Sequence, residues 1–304
     1  MADMRVNLCG VELKNPVITA SGTFGYGHEF QDFYPVGRLG GISCKGTTLL
    51  ERPGNPSPRI AETPSGMLNS VGLQNPGVET FVSELLPWMR EQDVTVIANI
   101  AGSSVEDYVA MAERLNEEDV QIIEMNISCP NVREGGVSFG TSAASVENIT
   151  KAVKNRLTNK PLMVKLTPNV TNIGDMAAAA EAAGADAVSL INTLTGMRID
   201  IRTRRPVLRN NTGGLSGPAV FPVAVRMVRD VYKRVNIPIV GLGGISTWQD
   251  AAEMMIAGAT AIQIGTANFR DPYAAIKVID GLERFADSIG LSSVTELTGT
   301  LEEW

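Results

Sequence analysis

The feature that most constrains this chain is an alternation repeated along almost its whole length. Eight short runs rich in aliphatic and β-branched residues fall at 16–22, 41–48, 94–102, 121–129, 162–168, 187–193, 238–245 and 261–267. Between them lie segments with apolar residues at three- and four-residue spacing, at 78–92, 105–118, 145–157, 175–183, 219–235, 248–257 and 273–289. Strand runs alternating with helical periodicity predict βα units on a parallel sheet. Eight such units in 304 residues predict one closed (β/α)8 TIM barrel, a single domain over 1–304. VNLCG and VELKN, on either side of Gly10, predict an N-terminal hairpin closing the barrel's bottom. Ser104 and Thr247 read as helix N-caps, and Gly184 and Gly258 as helix stops.

Two connections are too long to be turns. Residues 49–77 contain five prolines, and residues 194–217 contain five arginines. Both follow strands, so both are long insertions at the C-terminal face, where barrel enzymes do their chemistry.

A net charge of −7 argues against a nucleic-acid or anionic-membrane surface. The start, MADMRVNLCG, has no signal-peptide core, and no apolar run is long enough to span a membrane. Three cysteines without paired spacing make neither a disulfide framework nor a metal or iron–sulfur site. The expectation is a cytoplasmic protein with reduced thiols.

Polar residues sit where a barrel strand would normally bury apolar ones. Alternation places Lys45, Asn99, Asn126 and Lys165 on inward faces near the strand ends, with Asn192 and Thr193 closing the sixth run. A buried lysine is costly without a partner; Glu124 could supply one, but several such groups at one level suggest a bound ligand with acceptor atoms. Gly243, Gly244, Gly265 and Thr266, at the ends of the last two strands, fit a phosphate site of backbone N–H groups. No GxGxxG follows a first strand and no GxxxxGK[ST] occurs, which disfavours a Rossmann site or an NTPase.

His28, the one histidine, follows the first strand and reads as a local hydrogen-bonding or capping residue. No Ser-His-Asp set and no metal cluster can be assembled. The most distinctive proton-transfer group is Cys129, in QIIEMNISCPN, at a strand end before Pro130 and the glycine-rich REGGVSFG. Cys9 and Cys44 read as structural thiols.

Together SGTFGYGHE, KGTT, GNPSPRIAETPSGMLNSVGLQNPG, NISCPN, KLTPN, LINT, GGLSGP, GLGGI and QIGTA resemble class 1 dihydroorotate dehydrogenase, from about residue 5 to residue 287. The cysteine at 129 resembles class 1, and LNSVGLQNPG most resembles the B type. The resemblance implies FMN in the barrel mouth, held by Ser21, Lys45, Gly46, Asn99, Asn126, Lys165, Ile191, Gly217, Gly243, Gly244, Gly265 and Thr266. It implies dihydroorotate on Lys45, Asn69, Ser70, Val71, Gly72, Leu73, Asn126, Asn192 and Thr193, with Cys129 as catalytic base and no metal. The B type further implies oxidation of dihydroorotate to orotate in de novo pyrimidine biosynthesis. Its electrons pass to NAD+ through a partner subunit carrying FAD and a 2Fe-2S cluster, in a heterotetramer of two catalytic and two electron-transfer chains. Other readings are an A-type, fumarate-dependent enzyme, a flavin-dependent dihydropyrimidine dehydrogenase, and a flavin-free barrel with Lys165 as a Schiff-base nucleophile.

Overall fold

The computed structural model describes residues 1–127 and 139–304. Eight parallel strands close into a barrel in sequence order: β1 (Val17–Thr19), β2 (Gly41–Ser43), β3 (Thr95–Ile100), β4 (Ile122–Asn126), β5 (Leu162–Lys165), β6 (Ala187–Leu190), β7 (Ile239–Leu242) and β8 (Ala261–Ile264). The last joins the first, with Ile262 paired to Val17. Each strand lies within a predicted run. Among the described residues the ladders end before the runs do, and the polar and glycine residues that follow them there contribute to the rim.

The intervening helices begin and end for local reasons. At Val105–Asn116, Ser104 Oγ accepts from the Asp107 amide at 3.1 Å while Asp107 accepts from the Ser104 amide, a capping box. Trp248–Ala257 opens with the same box between Thr247 and Asp250 and stops at Gly258, whose φ of 135° suits glycine alone. Where Pro87 would clash with the preceding turn, the helical segment widens to a π-turn over Phe81–Leu85.

The N-terminal strands Val6–Leu8 and Val11–Leu13 pair antiparallel around Cys9 and Gly10. Leu8 and Leu13 are fully buried in the core, while Arg5, Glu12 and Lys14 line a groove with Val94, Thr95 and Gln121 at the strands' N-terminal end. The hairpin therefore sits at the bottom of the barrel.

The two long insertions do not lie apart. Ile60–Thr63 and Gly66–Asn69 from the first join Gly213–Ser216 and Leu194–Gly196 from the second in one four-stranded antiparallel sheet. The chains meet where side chains are missing: a Cβ at Gly66 would stand 2.0 Å from the Ser216 carbonyl, and one at Gly214 1.9 Å from Thr193 Oγ1. This sheet walls one side of the mouth.

Candidate active site

The floor of the mouth is built around a single carboxylate. Glu124 on β4 is fully buried. Its Oε2 accepts from Ser43 Oγ at 2.5 Å and from Asn99 Nδ2 at 2.6 Å; its Oε1 accepts from Ser189 Oγ at 2.7 Å and from Gln263 Nε2 at 2.9 Å. Four donors from four strands fill the lone pairs of both oxygens. Burial alone would push this carboxyl upward, but the charge of Lys165 and the bonds from Ser43, Ser189 and Asn99 more than offset it, so the group is held below its ordinary value.

Above this floor is a cavity of about 390 Å³, in the range of small-molecule sites. Lys45 and Lys165 line it, and among the described residues no aspartate or glutamate does. Lys165 is 4 % exposed, donates a long 3.5 Å bond to Ser21 Oγ, and has no carboxylate within ion-pair distance among the described residues. A buried ammonium so weakly engaged calls for an anionic or acceptor-rich ligand. In a chain of net charge −7, a cation-lined cavity is a local inversion of sign.

The rim beside β7 and β8 is glycine. Gly243, Gly244 and Gly217 have φ of 125°, 84° and 97°, and a Cβ at Gly244 would meet the Gly217 carbonyl and Phe221 at 2.8 Å. All three glycines line the cavity, and the backbone there packs too closely against its neighbours to carry a side chain. Across this rim Thr266 Oγ1 donates to Ser216 Oγ at 2.7 Å, tying β8 to the insertion sheet.

Most of the residues singled out in the sequence meet here. Ser21, Lys45, Gly46, Asn126, Lys165 and Ile191 line the cavity, as do Gly217, Gly243, Gly244, Gly265 and Thr266. Asn69, Val71, Gly72, Leu73, Asn192 and Thr193 stand on the opposing wall. Asn99 and Ser70 are buried and do not line it. Asn99 instead belongs to the floor, and its Oδ1 would lie 3.0 Å from a Cβ at Gly46. His28 is outside the site, stacked on Trp88 with ring centroids 3.7 Å apart. Cys129 lies outside the described residues. Cys44 is fully buried, and burial pushes its thiol up; burial likewise raises Cys9 to about 12, so neither is poised as a thiolate.

The sequence reading missed several residues. Gln263 was the detectable one, a carboxamide in the otherwise apolar run AIQIG. Tyr108, which donates to the Asn126 carbonyl at 2.7 Å from a neighbouring helix, had no local signal. Ser216, Met67 and Phe269 reach the cavity only through the insertion sheet and the segment after β8.

Fold and site together define a (β/α)8-barrel enzyme whose mouth presents two lysines, carboxamides and glycine backbone. The family model for dihydroorotate dehydrogenase matches residues 3–286, and the chain belongs to that family. It is 57 % identical over 303 residues to a protein of Bacteroides fragilis, covering 99 % of this chain and all of that one. Relatives from Alkaliphilus oremlandii (53 % over 299 residues, 98 % of this chain and 99 % of the relative) and Petrotoga mobilis (49 % over 301, 99 % and 100 %) are equally full-length. All three are named dihydroorotate dehydrogenase B (NAD(+)), catalytic subunit. Among the described residues no helix is long and apolar enough to cross a membrane, and no cluster of metal-ligating side chains occurs.

Proposed function

We propose that this chain is the FMN-carrying catalytic subunit of a B-type dihydroorotate dehydrogenase, oxidising dihydroorotate to orotate in pyrimidine biosynthesis. The observation that carries the reading is the cavity with two lysines and no acid among the described residues, floored by buried amides and rimmed by glycine. FMN fits that donor set. Glycine backbone at 217, 243, 244 and 265, with Thr266, would hold its phosphate, while Ser21, Lys45, Gly46, Asn99, Asn126, Lys165 and Ile191 would hold its ring and ribityl chain. The full-length relationship to B-type catalytic subunits supports the same assignment.

Dihydroorotate has a carboxylate and a ring of amides. Lys45 and backbone donors in 69–73 (Asn69, Ser70, Val71, Gly72, Leu73) would take the carboxylate. Asn126, Asn192 and Thr193 offer the paired donors and acceptors that ring amides need. Forming the C5=C6 double bond requires loss of a proton from C5 and a hydride from C6. Bound FMN supplies the two-electron acceptor for that hydride. Cys129, as thiolate, takes the C5 proton, alpha to a carbonyl. Lys165 would offer a fixed positive charge to the negative charge that accumulates on reduction.

A partner subunit with FAD and a 2Fe-2S cluster would carry the electrons on to NAD+, in a heterotetramer of two chains of each kind. We infer a one-domain, cytoplasmic enzyme; the two described cysteines are free thiols, in keeping with a reducing compartment. Anaerobic addition of dihydroorotate to the FMN-loaded chain should bleach the flavin, and dihydrouracil should not. Bleaching by dihydrouracil alone would refute the substrate. The isolated chain should reduce NAD+ poorly and regain this with a flavin- and iron-containing partner; efficient fumarate-dependent turnover by the chain alone would refute the B type.

A further inference from the structure

Glu124 touches nothing that reacts, yet four elements of the floor converge on it. Its two amide partners have their N–H groups committed to the carboxylate, so each carboxamide can point in one way only. A flipped Asn99 or Gln263 would set a carbonyl oxygen against a carboxylate oxygen at 2.6 or 2.9 Å. The oxygens are therefore turned away from Glu124, and both Asn99 Oδ1 and Gln263 Oε1 are buried acceptors without a partner among the described residues. Asn99 Oδ1 lies against Gly46, which lines the cavity, and Gln263 lines it itself, so one unsatisfied acceptor sits directly behind a lining residue and the other on one. Buried acceptors left unpaired are costly, and a native fold keeps them where a ligand's donors complete the set.

The same carboxylate sets the charge of the floor. Glu124 and Lys165 lie on adjacent strands, where Glu124 pairs with Met163 and Asn126 with Lys165, one inward step apart. They act on each other through space without forming an ion pair.

We propose that Glu124 is the positioning residue of this mouth: it orients the Asn99 and Gln263 carboxamides as acceptors toward the flavin and supplies the negative charge that balances Lys165 beneath it. The proposal rests on the FMN reading above. It predicts that Glu124 controls how tightly FMN binds and how easily bound FMN is reduced, with no contact to substrate.

Glu124→Gln tests it, because a carboxamide of the same shape cannot accept from all four donors and carries no charge. Titration of the apoprotein with FMN should show binding at least about tenfold weaker than wild type. Removing the negative charge should favour the reduced flavin by about tenfold, raising the two-electron potential by about 30 mV. The control is Ser43→Ala/Ser189→Ala, which also deletes two bonds to Glu124 but leaves the amides and the charge in place. It should lower the melting temperature comparably and weaken FMN by no more than about threefold. An E124Q protein with unchanged FMN affinity and potential would overturn the proposal, as would a serine double variant that loses FMN equally. If E124Q does not fold, Gln263→Met decides instead, with binding about tenfold weaker expected and unchanged binding fatal. A wild-type apoprotein that binds no FMN would overturn the cofactor reading itself.

Discussion

The two ends of the barrel handle charge in opposite ways. At the bottom lies a groove of about 730 Å³, and its charges are paired and wet. Lys14 meets Asp93 at 3.0 Å, Arg90 meets Asp119 at 2.6 Å, and Arg5 meets Asp3 at 2.7 Å. The Arg5 side chain, hydrogen-bonded to Asp3, holds that carboxyl at about 2. Exposed pairs of this kind contribute little to stability. At the mouth Glu124 and Lys165 are buried, and they are spaced rather than bonded. Cavity size thus does not single out the mouth, whereas the state of the charges does.

The sharpest way to break that contrast is to change the proposed base and, separately, a thiol of the bottom hairpin. Cys129→Ala should keep bound FMN yet slow flavin reduction by dihydroorotate by about 10²–10⁴-fold, the usual loss for a positioned base. Cys9→Ala, in the bottom hairpin, should leave reduction unchanged. Stopped-flow bleaching reads both, and a near-normal rate in Cys129→Ala would remove that residue as the base.

Lysines make the second pair. Lys165→Ala should weaken FMN retention by about tenfold or more, since a charge-assisted contact is lost in a buried site. Lys14→Ala should move the melting temperature by no more than about 2 °C and leave FMN in place. Equal effects from the two would dissolve the distinction between the ends.

Glycines separate strain from crowding. Gly10 and Gly244 both have positive φ, of 85° and 84°, but a Cβ at Gly10 meets nothing within 4 Å, whereas at Gly244 it meets backbone at 2.8 Å. Gly10→Ala should cost about 1 kcal/mol and Gly244→Ala about 2–3 kcal/mol, with FMN loss only in the latter. Thermal unfolding and flavin content report the two outcomes.

The smallest expected effect is on acid stability. Because Glu124 is held below its ordinary value in the fold, the unfolded chain takes up its proton first as pH falls. Its contribution is present above the unfolded value, near ~4.3, and fades as pH drops through the folded one. Glu124→Gln should therefore flatten the acid limb of stability against pH below about 4, and an unchanged slope would count against the folded-state shift.

The parts of this protein legible in its sequence are those set by near neighbours. Strand and helix periods, the Ser104 and Thr247 caps and the Gly258 stop depend on residues within a turn or two, and all appear in the fold. The inward lysines were legible too, because alternation along a strand fixes which face a side chain takes. Asn99 was placed on that inward face, but its depth below the cavity depended on a partner 25 residues away. Ser70 followed its neighbours in sequence, but it is buried and does not line the cavity.

What the chain alone determined, then, was eight βα units and a cluster of polar groups at their C-terminal ends, since both follow from local sterics and from side-chain alternation. Closure decided the rest. It brought residues 43, 99, 189 and 263 onto Glu124, and it paired insertions more than a hundred residues apart into one wall. A carboxylate's four lone pairs are filled only when four strands converge. That convergence is a property of the closed barrel, which no single stretch of the sequence contains.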